Sequence, residues 1–195
     1  GTVYLNQGDY PKALDYLFKA LKIGEEIGDK NGIARHLTNI GNVYKNQGDY
    51  TKALEYYFKA LTMNNELENK YGIAYGYSFI GGIYYYQKDY PKSLDYSFNA
   101  LKILEEIGDK NGVARNLSFT GIVYSAQKNY IKALEYDFKA LKFLEEIGDK
   151  NGIVSCIGAI GWLYTDMKNY NKAESYLIKA IESAKEIPFK LNCFI

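Results

Sequence analysis

Histidine and cysteine are the side chains best suited to acid–base or nucleophilic chemistry, and both are scarce here. The chain has one histidine, His36, and two cysteines, Cys156 and Cys193. A nucleophile needs an adjacent base, and the base needs a group that orients it. The sequence contains no such His/Cys/Asp cluster, so we interpret His36 as a solvated or half-buried helix residue. Cys156 is interpreted as a small buried apolar residue. We therefore predict no catalytic residue and no enzyme.

Two short patterns suggest ion or phosphate loops but lack essential residues. The segment Asp-Lys-Asn-Gly at 149–152 starts like a calcium loop, yet the further acidic ligands and the closing glutamate are missing. Helix capping explains it better. Gly81-Gly82 is not followed by the Gly-Lys-Ser/Thr of a phosphate loop. We predict neither a metal site nor a cofactor.

A block of about forty residues recurs along the chain and organises the other patterns. The segment 41–54 returns, with substitutions, at 81–94, at 121–134 and from Gly161, and the chain opens inside a copy at Gly1. A fixed period of this size is typical of stacked units that share a core with their neighbours. The repeat therefore favours surface recognition over catalysis.

Each repeat is predicted to form two antiparallel helices of about four to five turns. In the unit 31–70, the first apolar face follows the helical spacing i, i+3, i+4, i+7. It consists of Leu37, Ile40, Gly41 and Tyr44. The second face consists of Ala53, Leu54, Tyr57, Phe58, Ala60 and Leu61.

Glycine, aspartate and proline mark the helix ends. Gly28 suits a helix C-terminus and Asp29 the next N-cap, while Pro11 and Pro91 suit a first helical position. Small residues recur inside the helices, although glycine there costs about 0.5–1 kcal/mol relative to alanine. We therefore predict close helix packing at Gly41, Gly81, Gly121, Gly161, Ala60, Ala100, Ala140 and Ala180.

This pattern resembles the tetratricopeptide repeat, which reads Trp-x2-Leu-Gly-x2-Tyr, then Ala-x3-Phe, then Ala. The second copy reads Leu37-x2-Ile40-Gly41-x2-Tyr44, then Ala53-x3-Tyr57, then Ala60. The resemblance covers essentially the whole chain. It implies an all-α, right-handed α-solenoid of antiparallel helix pairs, the tetratricopeptide-repeat superhelix.

The repeat also departs from the family pattern. Its period exceeds the usual 34 residues, so the second helix should run about one turn longer. Ser97 and Asp137 stand where an aromatic residue is expected, and neighbouring Tyr96 and Tyr136 are expected to take over part of that packing. The forty-residue repeat resembles the long repeats of polarity scaffolds and of bacterial sensor proteins. Its sequence is more similar to that of the bacterial group.

The resemblance implies that the first helix of each repeat lines a concave groove that binds extended or helical peptides. Arginines there could meet a carboxylate, asparagines could bond a peptide backbone, and aromatic residues could supply buried contact. Alternatively, several aromatics only pack on a neighbouring helix. Thr38 stands where the family's carboxylate clamp has lysine, so a chaperone C-terminal peptide is not predicted. The candidate groove residues are Arg35, Asn39, Asn42, Tyr75, Phe79, Tyr85, Tyr86, Arg115, Phe119 and Trp162.

The charge balance disfavours polyanionic partners. A net charge of +1, from 24 basic and 23 acidic residues, gives no general attraction to nucleic acid or anionic membranes. The repeated lysines alternate with acidic residues, as on a solvated face. Two cysteines, no signal peptide and no apolar run long enough to span a bilayer favour a cytoplasmic protein. The lysines are Lys12, Lys52, Lys92, Lys132 and Lys172.

The predicted domain organisation is a single array over 1–187 followed by a tail at 188–195. The array divides into a partial repeat 1–29 and the repeats 30–69, 70–109, 110–149 and 150–187. Because the first copy lacks most of its first half and no initiator Met is present, we interpret the chain as a fragment of a longer protein. The cut first repeat and the apolar tail suggest end-to-end self-association.

These observations favour a non-enzymatic scaffold whose partner is a protein or peptide ligand. The alternative is the sensory or regulatory segment of a larger signalling protein, with a kinase, cyclase or transcription-regulator domain outside this chain. A hydrolase or transferase is disfavoured by the missing His/Cys/Asp cluster.

Overall fold

The computed structural model describes residues 2–185 and Ile187, with only the backbone at Thr2 and Asn6. The expectations for the tail 188–195 lie outside these residues. The described part contains helices and no strand, which confirms the all-α class. The helices are α1 (Thr2–Asn6), α2 (Tyr10–Ile27), α3 (Lys30–Asn46), α4 (Tyr50–Glu66), α5 (Lys70–Tyr86), α6 (Tyr90–Glu106), α7 (Lys110–Ala126), α8 (Tyr130–Ile147), α9 (Lys150–Asp166) and α10 (Tyr170–Lys185).

Short turns join consecutive helices, so neighbours pack antiparallel in pairs. The helices form two compact units, of which the first ends at Ile107 and the second begins at Gly108. In the first unit α3 pairs with α4 and α5 with α6, and in the second α7 pairs with α8 and α9 with α10. We call α3, α5, α7 and α9 the first helices and α2, α4, α6, α8 and α10 the second helices. Helix α1 has five residues.

Helices α2 to α9 all begin with the same type of N-cap, an Asp or Asn side chain that accepts a hydrogen bond from a backbone N–H three residues later. The Asp29 carboxylate accepts a hydrogen bond from the Gly32 N–H at 2.9 Å, and the Asp49 carboxylate accepts one from the Lys52 N–H at 3.1 Å. Each such cap is worth about 0.5–2 kcal/mol. The preceding turns contain a residue in the left-handed region, for example Gly28 at φ 70°. The predicted capping role of the Gly-Asp pairs is confirmed.

The first and second helices of a repeat approach closely at the recurring glycines, as predicted. A Cβ atom added to Gly41 would lie 2.6 Å from the ring of Tyr57, and one added to Gly161 would lie 2.8 Å from Leu177. Such distances are shorter than real packing contacts, so a larger residue would force the helices apart. The side chain at the place of Tyr57 in the repeat therefore sits directly on this glycine.

A pair of stacked tyrosines also joins the first and second helices of a repeat. Tyr44 stacks on Tyr56 at a ring distance of 5.5 Å, and Lys52 lies over the Tyr44 ring at 5.1 Å. Tyr124 and Tyr136 form the same stack at 5.3 Å. Tyr136 thus occupies the same place as Tyr56. The expectation that Tyr96 and Tyr136 take over part of the packing at Ser97 and Asp137 stays a prediction, although Tyr96 does lie against Gly81.

Candidate functional site

A pocket of about 470 Å³ lies between the first helices α3 and α5. Its floor and one wall are polar, and aromatic rings form the opposite wall. We call it the amide pocket. Its lining includes Arg35, Thr38, Asn39, Asn64, Asn69, Tyr71, Tyr75 and Phe79.

A hydrogen-bonded asparagine pair fixes the floor of the amide pocket. The Asn69 side-chain oxygen accepts from the Gly72 N–H at 3.0 Å, and its amide group donates to the Asn64 side-chain oxygen at 3.1 Å. Asn64, which is 6% exposed, donates in turn to the Ala60 carbonyl at 2.9 Å. A buried amide with both ends bonded holds one orientation, so the pocket presents a pre-organised polar surface.

Neighbouring aromatic rings build the aromatic wall. Tyr71 and Tyr75 lie 4.5 Å apart, Tyr75 and Phe79 6.5 Å apart, and Phe79 stacks on Tyr57 at 5.4 Å. Phe79 therefore both packs on a neighbouring helix and faces the pocket. The predicted alternatives, groove lining and core packing, apply to the same ring.

Asn42 is engaged within the protein rather than in the amide pocket. Its side-chain oxygen accepts a hydrogen bond from the Tyr57 hydroxyl at 2.7 Å. Burial raises the pKa of the Tyr57 phenol, so the hydroxyl remains a donor at neutral pH. The buried Tyr57 therefore fixes the Asn42 side chain. Residue spacing along one helix could not reveal this contact, because Tyr57 lies on the next helix.

A second pocket, of about 350 Å³, lies between the first helices α7 and α9. It occupies the same place in the repeat as the amide pocket, but most of its lining is apolar. We call it the aspartate pocket. Its lining includes Arg115, Phe119, Ile122, Asp137, Leu144, Asp149, Cys156 and Ala159.

Asp137 is the functional candidate that sequence reasoning missed. Its residue is 4% exposed, and burial raises the pKa of its carboxyl from 3.8 to about 7. Its side chain rests on Gly121, as Tyr57 rests on Gly41. In the sequence its signal was the break in the repeat, which we interpreted as a packing change only.

Cys156 lies beside Asp137 and confirms the prediction of a buried thiol. Its Sγ donates to the Asp137 backbone carbonyl at 3.1 Å. Burial raises the pKa of the thiol to about 12, so it is protonated at neutral pH. This state suits packing and does not suit nucleophilic chemistry.

The other predicted groove residues lie outside both pockets. Tyr86 is 54% exposed and stacks on Tyr50 at 5.6 Å, and Tyr85 contacts the Tyr86 ring at 5.7 Å. Trp162 is 66% exposed on α9 and lines neither pocket. The amide pocket thus gathers four predicted residues, Arg35, Asn39, Tyr75 and Phe79, and the aspartate pocket gathers Arg115 and Phe119.

A third pocket, of about 510 Å³, lies on the second helices α2 and α4. Phe18, Leu21, Tyr56 and Met63 line it. It offers a surface that competes with the pockets on the first helices for the role of binding site.

The single histidine, His36, lines neither the amide pocket nor the aspartate pocket. His36 is half-buried, as predicted, and desolvation lowers the pKa of its imidazole. Over residues 2–185, no group of three or more His, Cys, Asp or Glu side chains could hold a metal ion. None of the described helices is long and apolar enough to cross a membrane.

Comparison with protein families gives one match, which extends over most of the chain. A family model described as the tetratricopeptide repeat matches residues 1–66, 72–146 and 121–186. No curated protein matches the chain in sequence.

Several solved structures have a similar fold at low sequence identity. BtubC (BKLC) from P. vanneervenii is 18% identical with a TM-score of 0.85, over 94% of this chain and 76% of that one. A Rap protein complexed with competence and sporulation factor is 20% identical with a TM-score of 0.80, over 95% and 52%. A signal-transduction ATPase with a tetratricopeptide repeat sensor, from Pyrococcus horikoshii, is 23% identical with a TM-score of 0.75, over 91% and 28%. The chain thus spans about half of the Rap protein and less than a third of the ATPase.

Proposed function

The chain belongs to the tetratricopeptide-repeat family, and on this premise we propose that it is a protein-interaction scaffold. The partner, a peptide or an extended segment of a protein, binds to the pockets between first helices. The observation that carries this proposal is the amide pocket, in which a fixed asparagine floor faces an aromatic wall. Binding sites combine apolar surface with a few well-placed polar groups in this way.

The chemistry of the amide pocket suits a peptide backbone. Asn39 is half-buried on its wall and carries both a donor and an acceptor. The Arg35 side chain is exposed at the same pocket and can form a bidentate pair with a carboxylate. Tyr75 and Phe79 offer flat surfaces against which an apolar side chain can pack.

A peptide array tests the proposal, since it samples many sequences at once and the partner need not be identified beforehand. Peptides that bind the wild-type chain are measured again with Tyr75→Ala and Arg35→Ala. We expect each variant to weaken binding by about 1–2 kcal/mol, about five- to thirtyfold in Kd. Trp162→Ala is the matched control, because it removes an exposed aromatic residue outside both pockets. If only the control weakens binding, the pockets are not the binding site.

A regulatory role within a larger protein is the second candidate. The observation that favours it is the similarity to the Pyrococcus horikoshii ATPase, in which a tetratricopeptide repeat is a sensor. In that arrangement, partner binding at the pockets would change the activity of an attached domain. Adding a peptide selected by the array to the protein encoded by the complete gene tests this role. A peptide that binds without changing any activity of the attached domains would argue against it.

A further inference from the structure

The aspartate pocket differs from the equivalent place in the first unit at three positions of the repeat. In the first unit, Tyr57 lies on Gly41, stacks on Phe79 and bonds Asn42. The residues at the equivalent places of the second unit are Asp137, Ala159 and Ile122. The rings of Tyr57 and Phe79 thus have no counterpart at these places, whereas Phe119 stands where the first unit has Asn39 and lines the pocket.

Asp137 supplies a buried carboxyl group to the lining of this pocket. Among the hydrogen bonds and ion pairs of residues 2–185, none involves its carboxylate. A buried carboxylate without a partner is unfavourable when ionised, because the charge loses its hydration. A ligand group that supplies a positive charge and hydrogen-bond donors would satisfy it.

The remaining titratable groups at the pocket do not supply that charge. Arg115, from α7, lines the pocket but is exposed to solvent, and the raised pKa of Asp137 has desolvation as its one cause, with no contribution from Arg115. From α9, Cys156 presents a protonated thiol, and Asp149 is a second carboxylate whose oxygen accepts from the Gly152 N–H at 3.0 Å. These groups leave the interior of the pocket acidic.

We propose that the aspartate pocket binds a cationic group on an apolar stem, namely the guanidinium or ammonium group of an arginine or lysine side chain in the partner. The cation pairs with the Asp137 carboxylate, and the methylene stem packs on Phe119, Ile122 and Leu144. Such side chains bury their stems against apolar surface while the charged end seeks an anion. This inference rests on the proposed function, since it assigns a residue type to the bound peptide.

The inference is tested with n-butylguanidinium as the probe and 1-pentanol as its neutral counterpart. NMR follows the side-chain carboxyl carbon of Asp137 and the methyl groups of Ile122. We expect n-butylguanidinium to shift both signals and to lower the pKa of Asp137, because the cation stabilises the ionised form. The Kd should weaken about tenfold from about pH 8 to about pH 6, since protons then compete for a group with a pKa of about 7. The chain's single histidine, His36, lies in the first unit and cannot produce this pH dependence.

Asp137→Asn keeps the shape and removes the charge. With this variant, we expect n-butylguanidinium to bind no more tightly than 1-pentanol. Asp166→Asn, which removes an exposed carboxylate from α9, is the matched control and should bind like the wild type. The wild-type titration alone keeps the inference falsifiable if the variant folds poorly.

The outcomes separate this inference from the proposed function. Equal responses to the cation and the alcohol in the wild type, or unchanged cation binding in Asp137→Asn, would overturn it. If the cation binds through Asp137 but no peptide binds the chain, the pocket is correctly assigned and the scaffold proposal fails. If peptides bind and their affinity is insensitive to replacing every arginine and lysine, the scaffold proposal stands and this inference fails.

Discussion

Replacing Asp137 by asparagine should change how the stability of the protein depends on pH. The carboxyl pKa is raised from 3.8 to about 7 in the folded protein, because the group is buried on Gly121 without a charged partner. The folded state therefore binds more protons than the unfolded state between these two values. For a carboxyl group with a raised pKa, its contribution to stability is greatest at acid pH. That contribution is lost as the pH rises through the folded-state value.

The magnitude follows from the two pKa values. Each pH unit between them changes the free energy of unfolding by about 1.4 kcal/mol. From about pH 5 to about pH 8, Asp137 should therefore lower wild-type stability by about 3 kcal/mol relative to Asp137→Asn. Other carboxyl groups titrate in both proteins, so their effects cancel in the difference.

Equilibrium unfolding in urea, measured for both proteins across this pH range, gives the difference directly. Asp166→Asn, which removes an exposed carboxylate from α9, serves as the control. A difference between the wild type and Asp137→Asn that stays constant with pH would refute the reasoning. It would mean that the carboxylate is solvated or paired in the folded protein.

Three further predictions concern packing and turns, and urea unfolding checks each of them. Gly41→Ala should destabilise the protein by about 1–3 kcal/mol, because the new Cβ would lie 2.6 Å from the Tyr57 ring; an unchanged midpoint would contradict the close approach. Tyr57→Phe should cost about 1 kcal/mol by removing the 2.7 Å hydrogen bond to Asn42, and no loss would mean that water replaces the hydroxyl. Lys128→Gly should stabilise the protein by about 1 kcal/mol, because Lys128 has a φ of 59° that glycine adopts more easily. Gly48→Ala, at a φ of 78°, is its control and should have the opposite sign.

The fold could be predicted from the sequence because the information is local and repeated. The apolar spacing around Tyr44, the Gly28-Asp29 boundary and the interior Gly41 each dictate one feature, and several copies repeat it. Helix pairing and capping followed from these residues alone, without distant contacts.

The candidate site was only partly predictable, because pockets form between helices that lie about forty residues apart in the sequence. Asn39 and Phe79 were predicted from the groove that the resemblance implies, and both line the amide pocket. Trp162 was predicted as well but lines neither the amide pocket nor the aspartate pocket. In the aspartate pocket, Asp137 and Ala159 replace the aromatic residues of the first unit, and the two residues lie on different helices. Each of these changes looks minor by itself.

Mapping a bound peptide by NMR tests the central claim, that partners bind between the first helices. The backbone amides of the chain are followed while a peptide selected by the array is added. We expect the largest shifts of backbone amide signals at Asn39 and Tyr75, and little shift at Leu21 and Met63. Leu21 and Met63 line the pocket of the second helices. The reverse pattern, with changes centred on Leu21 and Met63, would contradict the account.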